Sequence, residues 1–347
     1  MTTAGRLLRA NLRGLPEPVR LAHEYCFFLH DETLRVLVEY EGARAHFVRH
    51  DFADAEEAQA YARLAETLDP IGAMRRLGLE TQARRVLLNQ VVMAMTSDVL
   101  HHLYEGLRCL EKRKFIVALN LLRKPLVDNL LYLSWMCGDE DAFYEAFTKG
   151  GPQALQPKVL GNHRQDILAK AMAATEIAGL IDPAYVHETI FDAKNPYGLY
   201  GLFQRAVHLV TFDRLELRTE PENFNLIFKA PSDDDLYHAV YEQLPTLILF
   251  LAHVLSTLFD RMRPMEKGAR TAFMVRSAQG YWLTQGGEAL EQSRRDLTKM
   301  FTANFRCGEC DTPLKMTDHN MARIVLSETC RCTTCGTVGG FPFSWFF

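Results

Sequence analysis

Apolar residues recur at helical spacing along most of the chain, and the longest such stretch runs from Thr81 to Cys137. At 100° per residue, its first half places one apolar group on a single helix face: Leu88, Val91, Val92, Met95, Val99 and Leu103. Its second half does the same with Ile116, Leu119, Val127 and Leu130. The only dense charge cluster, Glu111–Lys114, separates the two halves. The pattern therefore predicts a long antiparallel helix pair with a turn at this cluster.

Similar patterns before and after the pair predict a mainly α fold, a multi-helix bundle built around these two helices. One N-terminal stretch differs. Leu34, Val36 and Val38 alternate with other residues, and Glu41-Gly42 suits a turn into a second strand, so a small β-hairpin is expected there. We divide the chain into an N-terminal region (residues 1–70), a helical body (71–300) and a C-terminal unit (301–347).

Composition places the chain among folded soluble proteins, with 48% apolar and 24% charged residues and a net charge of −4. The most apolar run, Leu247–Phe259, is too short to span a bilayer, so we interpret it as a buried helix. The N-terminus has no apolar run long enough for a signal peptide. Cys26, Cys109 and Cys137 are scattered, which favours free thiols and a cytoplasmic location. The net charge and the short apolar runs predict no membrane contact.

Four polar side chains fall on or beside the apolar faces of the predicted pair. His102 lies on the face of the first helix, with Asp98 and Glu105 at its edge, and Arg123 projects from the face of the second. The antiparallel arrangement predicts a buried or half-buried Arg123–Glu105 ion pair with His102 beside it. Such a trio either fixes the helix register or forms a catalytic or ligand-binding site for an anion.

The helix, the basic turn and the second helix with Ala118-x-x-Leu121-Leu122-Arg123 resemble uncharacterised bacterial helical families and the HEPN helical ribonucleases. The HEPN resemblance implies catalysis by an Arg-x4-His pair. In this chain the equivalent spacing from Arg123 reaches Asp128, and no Arg-x4-His occurs anywhere in the sequence. This departure removes the main reason to expect a ribonuclease.

Two C-x-x-C motifs near the C-terminus predict a metal site. Cys307 and Cys310 form the first motif, and Cys332 and Cys335 form the second. Four thiolates in a tetrahedron commonly hold a structural Zn²⁺ ion, because they leave no open position for a substrate. Cys330 is an alternative to Cys332, although only Cys332 completes the C-x-x-C spacing. Residues 301–347 thus resemble a zinc ribbon.

Each motif is followed by a residue that suits a turn, Asp311 or Gly336. Between the motifs, Ile324–Leu326 is expected to form a ribbon strand. Charges in this unit balance, which argues against nucleic-acid binding. The charged residues are Arg306, Lys315, Arg323 and Arg331 against Glu309, Asp311, Asp318 and Glu328.

The chain ends in an aromatic tail of Phe341, Phe343, Trp345, Phe346 and Phe347. We expect this tail to pack on the body of the protein, or else to bind a partner or a second copy. No P-loop, dinucleotide-binding glycine motif or hydrolase motif is present. The sequence favours a zinc-ribbon-bearing interaction or assembly module. The alternatives are a nuclease or other phosphate-chemistry enzyme using His102, Glu105 and Arg123, and nucleic-acid binding through the ribbon.

Overall fold

The computed structural model describes residues 12–212, 218–226, 232–286 and 288–346. These ranges are predominantly helical, which confirms the predicted fold class. The helices are α1 (Arg20–Gly42), α2 (Ala55–Thr67), α3 (Pro70–Arg76), α4 (Glu80–Glu111), α5 (Phe115–Arg123), α6 (Leu130–Gly138), α7 (Glu140–Lys149), α8 (Gly151–Ala154), α9 (Arg164–Ala174), α10 (Pro183–Phe191), α11 (Leu199–Val207), α12 (Asp234–Met262), α13 (Lys267–Gln285), α14 (Glu288–Asn304) and α15 (Asp318–Ser327). Strands β1 (Thr329–Arg331) and β2 (Val338–Gly340) pair antiparallel, and 3-10 turns occupy Glu17–Val19, Val159–His163 and Phe343–Phe346.

The long helix pair is present, as α4 and α5. The turn between them falls where the charge cluster predicted it, with Arg113 in the left-handed region at φ 55°. Gly106 permits close contact, because an added Cβ atom would lie 2.8 Å from the side chain of Leu122. Arg113 also donates to Asp234 Oδ1 (2.6 Å), which joins the turn to the start of α12.

Helix α12 forms the centre of the core. Its segment Leu247–Leu255 is buried at every position, as its apolar composition predicts. By length and composition α12 could cross a membrane, but 83% of its most apolar window is buried inside the protein. A core helix of a soluble protein has the same properties. The interpretation of Leu247–Phe259 as a buried helix is therefore confirmed.

The predicted N-terminal β-hairpin is wrong. Residues 34–42 continue α1, which ends only at Gly42. Burial follows helical spacing through the second half of α1, since Leu29, Thr33 and Tyr40 are buried. The apolar alternation that suggested a strand lies mainly on the solvent side, where Val38 is 57% exposed. Apolar residues on the exposed side of the helix thus produced the two-residue alternation that is typical of a strand.

Candidate metal centre and polar clusters

The first cysteine motif forms a tight turn. The Cys307 amide donates to the Thr312 carbonyl (2.9 Å), and the Asp311 amide donates to the Cys307 carbonyl (2.9 Å). Asp311 has a φ of 53°, as expected for the residue that reverses the chain. Cys310 Sγ lies 3.4 Å from the hydroxyl of Thr312.

The second motif repeats this turn. The Cys332 amide donates to the Thr337 carbonyl (2.9 Å), and the Gly336 amide donates to the Cys332 carbonyl (3.1 Å). Gly336 has a φ of 77°, and Cys335 Sγ lies 3.3 Å from the hydroxyl of Thr337. The two threonine hydroxyls were missed in the sequence, although the shared spacing C-x-x-C-x-T marks both positions.

The two turns bring four sulfur atoms together. Ligand atoms of Cys307, Cys310, Cys332 and Cys335 all lie within 4.8 Å of one another. The Sγ atoms of Cys307 and Cys335 are 3.6 Å apart, as are those of Cys310 and Cys332. Sulfur atoms about 2.3 Å from a tetrahedral ion are separated by about 3.8 Å, whereas a disulfide needs about 2.05 Å. The geometry therefore fits a four-coordinate metal ion.

The thiol pKa values differ within the cluster: that of Cys307 is raised to about 11, because its bonds with backbone amides are outweighed by burial and hydrogen bonds with neighbouring thiols. The side-chain hydroxyl and backbone amide of Thr337 stabilise the thiolate of Cys335 and lower its pKa to about 6. Metal ions bind the thiolate form of cysteine, so a lowered pKa favours binding. Cys330 lies outside the cluster, buried on β1 against the core. Cys332, with the C-x-x-C spacing, is the member of the cluster.

A helix, not a strand, connects the two turns. The expected strand at Ile324–Leu326 lies within α15, whose first turn is capped by the Thr317 hydroxyl. Asn320 is buried and holds the connection together: its amide donates to the Lys315 and Arg331 carbonyls (2.7 and 3.0 Å), and its oxygen accepts from the Arg331 amide (2.9 Å). The apolar residues of α15 face the body, and three consecutive apolar residues suit a buried helix as well as a strand.

Arg276 on α13 fixes the end of α15 to the body. Its guanidinium donates to the carbonyls of Val325 (2.8 Å) and Leu326 (3.1 Å) and to Glu32 Oε1 on α1 (3.0 Å). It also lies over the ring of Phe28, 4.9 Å from the centroid. A cation that binds the free carbonyls at a helix C-terminus stabilises that end. The cysteine cluster is thus carried on a unit that is docked on α1 and α13.

The predicted polar trio does not come together. Arg123 pairs with Asp128 (3.4 Å) rather than with Glu105, whose side chain is exposed. His102 Nδ1 donates to the Asp98 carbonyl one turn earlier (2.8 Å). The expected Arg123–Glu105 ion pair is therefore wrong. A catalytic role of these residues stays a prediction.

A different cluster spans the helix pair at Asp98. Lys124 Nζ and Asn129 Nδ2 each donate to its carboxylate at 2.7 Å, and His102 Nδ1 lies 3.5 Å from it. Burial alone would raise the pKa of Asp98, but the bonds from Lys124 and Asn129 outweigh burial and lower it. Both partners belong to a π-helix, Lys124–Asn129, that follows α5 directly and contains Pro125. Pro125 lies inside the helical pattern and predicts a kink at this point, because proline interrupts the regular hydrogen bonds of an α-helix. The contact of Lys124 with α4 could not be predicted from this kink.

A second buried polar network lies between α1, α4 and α12. His23 lies 2.5 Å from the Tyr241 hydroxyl and 3.2 Å from Glu111 Oε1, and Glu111 also contacts Arg108. Burial lowers the pKa of His23 despite its bond with Glu111, so the imidazole is neutral near pH 7. Neighbouring Glu24 is buried, and burial together with the charge of Glu111 raises its pKa to about 8. These residues are separated in the sequence, so no local pattern reveals them.

The aromatic tail is divided between body and solvent. Phe341 packs edge-to-face on Phe305 with centroids 5.5 Å apart, and Phe343 is half-buried against the core. Trp345 is 86% exposed. The side chains of Phe346 and Phe347 lie outside the described residues.

The chain was compared with protein-family models, curated proteins and solved structures. No family model, curated protein or solved structure matches it. Its candidate function therefore depends on the cysteine cluster, the polar clusters and the surfaces described here.

Proposed function

We propose that the cysteine cluster binds one structural Zn²⁺ ion and that this cytoplasmic protein acts through protein–protein contacts of its C-terminal unit. A set of four thiolates suits zinc or an iron–sulfur centre, and zinc is the usual ion for two C-x-x-C turns that share one tetrahedron. Four protein ligands leave no open coordination position, so the ion stabilises the unit and takes no part in catalysis.

The observation that carries the interaction role is the exposure of Trp345. This side chain is 86% exposed, on a unit whose neighbouring aromatic residues Phe341 and Phe343 are packed. Tryptophan is enriched at the centres of protein interfaces, because it buries a large apolar area and keeps one polar donor. A tryptophan held on a metal-stabilised unit is suited to enter a partner's pocket.

Metal analysis of the purified protein tests the zinc assignment. We expect one zinc per chain by mass spectrometry and no visible absorption, since an iron–sulfur centre would be coloured. Cys332→Ser should lose the ion. Cys330→Ser is the matched control, because Cys330 is a buried thiol outside the cluster, and it should keep the ion. Iron in the wild-type protein, or equal zinc in both variants, would show the assignment to be wrong.

The interaction role is tested with Trp345→Ser. Tyr197→Ser is the control, because Tyr197 is also strongly exposed but lies between α10 and α11. We expect the wild-type chain to self-associate in sedimentation experiments or to retain a specific protein in quantitative pull-downs. Trp345→Ser should weaken this self-association or partner binding, and Tyr197→Ser should leave it unchanged. A chain that stays monomeric at high concentration and retains no partner would end the proposal.

A phosphate-chemistry enzyme is the second candidate, and the π-helix favours it. Such helices are rare and occur frequently at functional sites. Here the π-helix places Lys124 beside Asp98 and His102, which could hold an anion and transfer a proton. RNA and DNA oligonucleotides should then be cleaved by the wild-type protein and not by His102→Ala. Absence of cleavage by the wild-type protein, or equal cleavage by the variant, excludes this role.

A further inference from the structure

A large apolar cavity separates the C-terminal unit from α13 and α14. Its volume is about 750 Å³. The described residues that line it include no charged side chain, and only Gln279 and Asn304 are polar. The remaining lining is aliphatic, aromatic or methionine. The cavity lies away from the cysteine cluster, whose residues do not line it.

The cavity has a buried floor and an accessible rim. Met316 and Met321 from the C-terminal unit and Leu283 from α13 are buried and form part of the floor. Trp282 and Met300 are large apolar residues that lie on the rim and are exposed, Met300 to 49%. A molecule can therefore enter from solvent and reach side chains that are otherwise screened from water.

Water is a poor occupant of this space. A stable internal water needs two to four polar partners, and the described lining residues offer two side-chain amides for a volume of about 750 Å³. One N–H group of Asn304 is already used, because its Nδ2 donates to the Met300 carbonyl (2.7 Å). Apolar pockets of this kind are poorly hydrated, and an apolar ligand that replaces the water gains contacts without losing hydrogen bonds.

The dimensions agree with a small-molecule site. Ligand pockets measure about 300–1,000 Å³ and combine an apolar lining with a few polar groups that orient the ligand. The three methionines of the lining, Met300, Met316 and Met321, have flexible and polarisable side chains that adapt to ligands of different shape. The absence of a cation among the described lining residues disfavours a phosphate or carboxylate.

We propose that this cavity binds an uncharged, predominantly apolar small molecule between the C-terminal unit and α13. The ligand packs its apolar part on Met316 and Met321 and directs any polar group towards Gln279. This site is independent of the proposed protein contact at Trp345, which does not line the cavity.

Fluorescence titration with Nile red, an uncharged apolar dye, tests the proposal on the full-length, metal-loaded protein. We expect saturable binding of one dye per chain. Ile324→Trp should weaken binding at least tenfold, because Ile324 lines the cavity and is buried. Since a larger buried residue can prevent folding, Met300→Trp provides a second variant at the rim. Val117→Trp is its matched control, because Val117 is also 49% exposed and lies on α5, outside the lining.

The outcomes separate the possible occupants. Loss of affinity in Met300→Trp, with unchanged affinity in Val117→Trp and Trp345→Ser, supports the site and distinguishes it from the proposed interaction surface. Equal affinity in Met300→Trp and Val117→Trp overturns it, as does an absence of saturable binding. A wild-type dimer that Met300→Trp converts to a monomer also overturns it, because the cavity would then receive a second copy of the chain.

Discussion

Replacing Glu24 by glutamine should stabilise the protein, and increasingly so as the pH rises. Glu24 is buried on α1 near Glu111, with Asp31 on the same helix and Arg323 on α15. Burial and the charge of Glu111 raise the pKa of Glu24 from 4.5 to about 8, while Arg323 partly opposes them. The folded state thus favours protonated Glu24, and the ionised form is destabilising.

The magnitude follows from the two pKa values. One pKa unit corresponds to about 1.4 kcal/mol, so the difference between 4.5 and about 8 corresponds to about 5 kcal/mol. Because the folded-state pKa is raised, the stabilisation that protonated Glu24 provides relative to ionised Glu24 is fully present below pH 4.5 and is lost as the pH rises towards 8. At pH 7 about 3 kcal/mol is already lost. The glutamine side chain of the Glu24→Gln variant remains neutral at every pH. The free energy of unfolding of the variant should therefore be higher than that of the wild type by about 3 kcal/mol at pH 7 and about 5 kcal/mol above pH 8.

Urea unfolding followed by circular dichroism at about pH 5, 7 and 9 measures this difference. Lower pH is avoided, since protons compete with a metal ion for thiolates. Glu41→Gln is the control, because Glu41 is exposed on the same helix. The difference in unfolding free energy between Glu41→Gln and the wild type should be the same at the three pH values. If the Glu24→Gln difference is also constant with pH, the assignment of a raised pKa is refuted.

Three further substitutions test the packing described above. Arg276→Ala should cost about 1–3 kcal/mol in urea unfolding, because the Val325 and Leu326 carbonyls lose their donor while Glu32 keeps only Arg35; an unchanged unfolding free energy would contradict these contacts. Gly138→Ala should destabilise by about 1–3 kcal/mol or more, since its methyl group would lie 2.6 Å from a backbone nitrogen of α9; an unchanged melting temperature would contradict this close approach. Lys124→Met should raise the pKa of Asp98, measured by carboxyl NMR titration, because a bond that stabilises the carboxylate is removed; an unchanged titration would argue against the Lys124 contact.

Local patterns predicted those features that depend on a short segment. The helix pair, its turn at Glu111–Lys114 and the burial of Leu247–Phe259 follow from helical periodicity and composition. The cysteine turns follow from C-x-x-C spacing, since a tight turn alone brings two thiols to one ion. Such features can be predicted without knowing which residues pack against them.

Features that depend on tertiary neighbours were missed or misplaced. A strand was expected at Ile324–Leu326, but these residues lie in a helix. A short run of buried apolar residues is compatible with either structure. Arg123 does not meet Glu105: it pairs with Asp128 on its own segment, and Lys124 contacts Asp98 on α4 instead. Glu24 owes its raised pKa to residues far along the chain, which no local spacing can identify.

The contact of Arg276 with both Glu32 and the end of α15 has a consequence for biosynthesis. Glu32 leaves the ribosome early, yet its guanidinium partner follows 244 residues later, and the carbonyls that share this guanidinium, those of Val325 and Leu326, lie near the C-terminus. The part of α1 that contacts α13 and α15 therefore stays uncovered until synthesis is almost complete, whereas α4 and α12 can cover the rest earlier. Long-range contacts of this kind delay final folding and leave apolar surface exposed to aggregation. The nascent chain should depend on chaperones until the segment that contains α15 emerges.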